Sequence, residues 1–203
     1  GSMRCSILPG DRFRCVNYLD LEEYIKGIAV REVSHYWPQE ALAAHAVVFR
    51  TYALYRKRQN ASQAYDVTAD VSSQSYGGRD AERYRISEAV ERTRGQVLTF
   101  RDEIVPAFFH STCGGATEDV SELWDITMAP LSGVLCPYCR SSPYFRWEKE
   151  FDAQEICRIL RRSGRACDGI VSLDVLERSV SARVRRIAVR TSSKLLELPG
   201  KEV

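Results

Sequence analysis

The chain has 203 residues, 44% of them hydrophobic and 28% charged, with 29 basic against 27 acidic side chains. This is enough apolar material for a buried core, which excludes a disordered chain, and the charge balance argues against nucleic acid as a partner. No apolar run approaches the roughly 18 residues of a membrane-crossing helix, and Gly1-Ser2-Met3 reads as an expression-tag remnant, so the lack of a leader carries no information.

Residues 4–19 are short apolar pieces around Pro9-Gly10-Asp11, the pattern of a hairpin or an extended segment. Asp20, with Glu23 three residues on, predicts a capped helix running to about Val33. Trp37-Pro38 opens a second helix, to about Arg58, that is apolar on most sides and therefore expected to be central and buried. A third helix is predicted over 80–94, stopped by Gly95, followed by strands over 96–100 and 104–109 around Arg101-Asp102-Glu103. Beyond a Gly-rich loop come a helix over 151–162 and strands over 170–175 and 184–189. Arg183, Arg185 and Arg186 alternate with Val184 and Ile187, which fits a half-exposed strand better than a polyanion site. Helices first and strands later give an α+β class: central buried helices packed on a small, mostly antiparallel sheet, in a single domain over residues 4–203.

At 100° per residue, Leu21, Ile25 and Ile28 of the first helix share one stripe, and Glu32 falls in the middle of it, whereas Glu22 and Glu23 fall off it. A carboxyl group on an apolar face resists ionisation, as a general acid must near neutral pH. The bland alternative is an acid that leans to solvent at the helix end or pairs with an arginine such as Arg50.

Seven cysteines are too many, and odd in number, for disulfides alone. His110 and Cys113 lie in H-S-T-C, and Cys136 and Cys139 in C-P-Y-C; two such pairs separated by a loop suit one tetrahedral, structural zinc per chain, stapling the loop region. A redox pair Cys136–Cys139 with a core histidine is the alternative. The remaining four cysteines allow Cys5–Cys15 and Cys157–Cys167 disulfides, or free thiols.

The blocks L-E-E-Y-I-K-G-I-A-V-R-E-V (21–33), W-P-Q-E-A-L-A-A-H-A-V-V-F-R-T-Y-A-L (37–54), S-Q-S-Y-G-G (73–78), A-V-E-R-T-R-G-Q-V-L-T-F (89–100) and A-F-F-H-S-T-C-G-G-A-T-E-D-V (107–120) resemble, in order, the SpoIID/LytB domain family of stage II sporulation protein D and the amidase enhancers. The resemblance covers about residues 20–150. It implies a lytic transglycosylase acting on peptide-free glycan strands of peptidoglycan, with Glu32 as the catalytic acid and Arg50 as the family arginine. It also implies a zinc near His110. The family usually places Met and Pro soon after the glutamate, where this chain has Val33-Ser34-His35, and the sequence ends where members continue into a further strand.

The expected chemistry is cleavage between N-acetylmuramic acid and N-acetylglucosamine with a 1,6-anhydro product. Glu32 acts alone as acid and then base, and Arg50, Gln74, Tyr76 and Ser111 line the cleft. The rival is a non-enzymatic module that binds glycan or an N-acetylmuramoyl-L-alanine amidase and enhances it. Both readings place the protein outside the cytoplasm, in contact with a membrane only through a segment outside this sequence.

Overall fold

In the computed structural model, which describes residues 1–202, the chain divides after Phe109 into two units. The first begins with a hairpin, β1 (Ser2–Leu8) against β2 (Arg12–Tyr18), in a register that sets Cys5 opposite Cys15 and Ile7 opposite Phe13. Gly10 and Asp11 both take positive φ, which is how three residues reverse the chain.

Helix α1 (Leu21–Glu32) starts at Asp20, whose side chain accepts the Glu22 N–H at 2.9 Å. Glu23 does not complete a capping box; it pairs instead with Lys26. Helix α2 (Gln39–Gln59) follows Pro38 and buries Leu42, Ala43, Ala46, Phe49 and Ala53. Helix α3 is shorter than its sequence predicts, Tyr84–Arg92, because the chain first makes a 3-10 turn at Arg79–Ala81 and Arg83 is extended. The Arg83 guanidinium bonds the carbonyls of Asp80, Ala81 and Glu82, which holds that turn outside the helix. The three helices pack on one another around Ile25, Ile28, Phe49 and Val90, each with 0% exposure. Burial of each such side chain contributes about 1.5–3 kcal/mol.

The two strands expected over 96–109 shrink to β3 (Thr99–Phe100) and β4 (Glu103–Ile104). Arg101 and Asp102 both take positive φ in the tight turn between them, and Pro106 has no N–H with which to extend the ladder.

Among its described residues the second unit holds four 3-10 turns (Val120–Glu122, Ala129–Leu131, Tyr138–Ser141, Gly200–Glu202), helix α4 (Ala153–Arg162) and an antiparallel sheet in the order β5 (Ile170–Arg178), β6 (Val184–Thr191), β7 (Leu195–Pro199). Strand β7 escaped the sequence reading. Its core buries Cys157 and Leu160 of α4 against Val189 and Leu198 of the sheet, and a Cys157–Cys167 disulfide ties α4 to the loop that follows it. Two arginines of β6 are neutralised at close range: Arg185 pairs with Glu122 and Glu177, and Arg186 with Glu197.

The α+β class holds. The buried core of the first unit, however, is built from the helices themselves and not from a helix–sheet seam. In the first unit they pack on each other, and the three-stranded sheet takes α4 as its helix. No helix among the described residues is long and apolar enough to cross a membrane.

Candidate functional site

Glu32 is the last residue of α1 and is half-buried. Its Oε1 accepts the N–H of Ser75 at 3.1 Å. Among the described residues its Oε2 has no hydrogen bond or ion pair, so one oxygen is fixed and the other is uncommitted.

The segment that carries Ser75 is laid against α1 residue by residue. Gly77 N–H donates to the Gly27 carbonyl at 3.0 Å, crossing the helix where there is no side chain. A Cβ on Gly27 would strike the ring of Tyr76, so this glycine exists for close approach and not for conformational freedom. The Tyr76 ring stacks on Tyr24 with centroids 5.8 Å apart and 16° between planes. Gln74 is fully buried: its Oε1 accepts the Tyr24 hydroxyl at 3.3 Å and its Nε2 donates to the Phe49 carbonyl at 3.4 Å. Burial, and then the nearby Tyr52, Glu32 and Tyr76, push the Tyr24 hydroxyl well above the usual tyrosine range. Burial is also the main cause of the upward shift at Tyr76.

Arg50 does not pair with Glu32. It is completely buried and forms a two-pronged pair with Glu22, Nε to Oε1 at 2.9 Å and Nη2 to Oε2 at 2.7 Å. Its remaining N–H groups reach the carbonyls of Ala46, Gln96 and Val90. All five donors are used inside the protein, so none is left for a sugar. Glu22 also accepts the Gly95 N–H at 3.2 Å, and the pair thus ties α1, α2 and the end of α3 together. Glu22 falls off the Leu21 stripe, but it shares a second buried face with Ile25 and Ala29, which a single stripe conceals. Arg50 and Gln74 therefore stand in the core, where the sequence reading had them line the cleft.

Tyr24 and the Ser75 amide belong to the Glu32 neighbourhood and were missed. Tyr24 was visible as the aromatic residue two turns before Glu32 in L-E-E-Y. A backbone donor from a loop more than 40 residues away leaves no side-chain signal.

The other candidates lie in the second unit. Ser111 and His110 are exposed. The thiols of Cys113, Cys136 and Cys139 lie within 4.8 Å of one another, with Cys113 Sγ 3.3 Å from Cys139 Sγ. His110 is not part of this group. A hydrogen bond from Gly115, helped by Cys139 and Cys136, draws the Cys113 thiol below its ordinary range against the effect of burial. Cys5 and Cys15 are exposed free thiols.

Residues 10–100 match the family model described as stage II sporulation protein, and residues 138–203 match a domain of unknown function, DUF8618. An uncharacterised protein of Brachyspira hyodysenteriae is 36% identical over 132 residues, covering 64% of this chain and 36% of that protein. Stage II sporulation protein D of Bacillus subtilis is 28% identical over 155 residues, 69% of this chain and 45% of the relative. The amidase enhancer of Bacillus subtilis is 34% identical over 132 residues, 65% of this chain and 17% of the relative. The chain thus spans less than half the length of the curated relatives it matches. The matched stretch contains the Glu32 helix, the buried Glu22–Arg50 pair and the 74–77 segment laid against α1, so it is over residues 10–100 that the chain is similar to the stage II sporulation protein (SpoIID) family.

Proposed function

We propose that this protein acts on the bacterial cell wall as a lytic transglycosylase of peptide-free glycan strands. The observation that carries the reading is the Glu32 carboxylate, held by one oxygen on the Ser75 N–H and open at the other. The protonated acid gives its proton to the glycosidic oxygen as the bond to the muramoyl C1 breaks. The resulting carboxylate takes the proton of the muramoyl 6-hydroxyl as O6 bonds to C1. The ring closes as a 1,6-anhydro end and no water is consumed. Because one group performs both transfers, no second carboxylate is needed at the distances that hydrolases require.

Cys113, Cys136 and Cys139 fit a thiophilic d10 ion such as zinc: three converging sulfurs, one of them already drawn toward the thiolate. Such an ion would fasten the loop from Cys113 to Cys139 in the second unit and take no part in the proton transfers. The Cys157–Cys167 disulfide supports a location outside the cytoplasm.

Digestion of purified peptide-free glycan, read by mass spectrometry, tests the reading. The wild type is expected to give anhydro-ended fragments and Glu32→Gln none; a wild type that gives none overturns it. The likeness to an amidase enhancer favours a second reading, in which the domain stimulates a muramoyl-alanine amidase without cleaving glycan. In that case added domain raises amidase turnover and Glu32→Gln raises it equally.

A further inference from the structure

The first unit contains a cleft of about 670 Å³ between the β2 strand, α1, α2 and the loop of residues 63–69. One wall is formed by the stacked pair Tyr24 and Tyr76, of which Tyr24 lies within electrostatic reach of Glu32. The Ser75 amide that holds Glu32 immediately precedes Tyr76, so the cleft and the candidate acid share a support. On the far side are Arg14, Lys57, Tyr65 and Asp66. The Arg14 guanidinium lies over the Tyr65 ring, 5.7 Å from its centroid, which fixes the cation beside a half-exposed aromatic face. Neither Arg14 nor Lys57 has an ion-pair partner among the described residues. The cleft therefore offers aromatic faces, hydrogen-bonding groups and two uncommitted cations to a ligand that is amphipathic and anionic.

A glycan strand that has lost its peptides fits this description. Each muramic acid carries a lactyl group; while a peptide is attached the lactyl carbonyl is a neutral amide, and once the amide is hydrolysed it is a carboxylate. We infer that this cleft binds the glycan beyond the cleaved bond, and that Arg14 and Lys57 recognise the free lactyl carboxylate, which makes peptide-free strands the preferred ligand. Tyr65 and Tyr76 supply stacking faces for the sugar rings, and Asp66 accepts from their hydroxyls. The inference rests on the proposed glycan substrate and adds a charge-based reason for its selection.

The test is calorimetric titration of Glu32→Gln protein, which holds ligand without turnover. The two ligands are GlcNAc–MurNAc tetrasaccharides, one with free lactyl acids and one with lactyl methylamides. The acid is expected to bind about tenfold more tightly, the effect of one or two charge-assisted contacts in a partly open site. Raised salt should narrow the difference. Adding Arg14→Gln and Lys57→Gln should bring the acid down to the affinity of the amide and leave the amide unchanged. If the double change perturbs folding, Lys57→Gln alone, at an exposed position, should remove about half of the preference on a logarithmic scale. Equal affinities in the parent, no binding of either ligand, or a preference that survives both substitutions overturns the inference. Wild-type digestion, run in parallel, separates the two ideas. Anhydro products without a charge preference leave the transglycosylase reading standing and this one refuted; a charge preference without anhydro products does the reverse.

Discussion

Glu22 and Arg50 form a fully internal ion pair: two parallel hydrogen bonds of 2.9 and 2.7 Å join them, with Arg50 at 0% exposure and Glu22 at 5%. Every other N–H of the guanidinium is bonded to a backbone carbonyl, so the pair organises three helices at once. Removing one partner leaves a buried charge without compensation. Glu22→Ala and Arg50→Ala are each expected to lose about 3–5 kcal/mol in urea unfolding. Replacing both together with apolar residues, Glu22→Leu with Arg50→Met, should recover most of that loss. A substrate-binding role for Arg50 predicts the opposite pattern: normal stability with a raised KM.

Gly27 supplies a second prediction, with a sign that runs against helix propensity. In an ordinary helix interior Gly→Ala stabilises by about 1 kcal/mol. Here the new methyl would meet the Tyr76 ring, and the 74–77 segment that supports Glu32 would have to move. Gly27→Ala should destabilise by about 1–3 kcal/mol and reduce glycan cleavage. Gly27→Ala combined with Tyr76→Ala should be more stable than Gly27→Ala alone, as measured by chemical denaturation.

The three-thiol group makes a prediction about metal. Protein purified without chelator should contain one zinc per chain by elemental analysis. Cys113→Ser, Cys136→Ser or Cys139→Ser should each abolish it, whereas His110→Ala should retain it because His110 stands apart from the converging sulfurs. Metal lost on His110→Ala would show that the histidine swings in to complete the shell.

Thiol titration checks the cysteine assignment. Without reductant and after metal removal, five thiols should react: Cys5 and Cys15 quickly because they are exposed, and Cys113, Cys136 and Cys139 more slowly. Peptide mapping should recover Cys157 linked to Cys167. Replacing both with alanine should cost about 3 kcal/mol, the loop-closure value for a short cross-link. If Cys5 is recovered linked to Cys15, the hairpin register that sets them opposite has closed into a second disulfide.

Much of this architecture follows from local pattern. The Asp20 cap, the 3.6-residue period that puts Glu32 at the end of α1, the basic end of α2 and the alternation of β6 are properties of neighbours in the chain, and each appears in the structure where the pattern placed it. The ordered blocks around Glu32 and Arg50 likewise point to the family whose model matches residues 10–100. Periodicity does not tell a buried charge which partner it will find, because that depends on which helices pack together. For that reason the pattern of the chain leaves Arg50 free for the cleft, sets Glu22 off the apolar face and is silent on the Ser75 amide. Spacing grouped Cys113, Cys136 and Cys139 with His110, and the folded loop brings the three thiols together but leaves His110 outside the group. The cleft of Arg14, Lys57 and Tyr65 is a product of tertiary structure alone, since its walls come from a hairpin, two helices and a loop whose residues have no common pattern in the sequence.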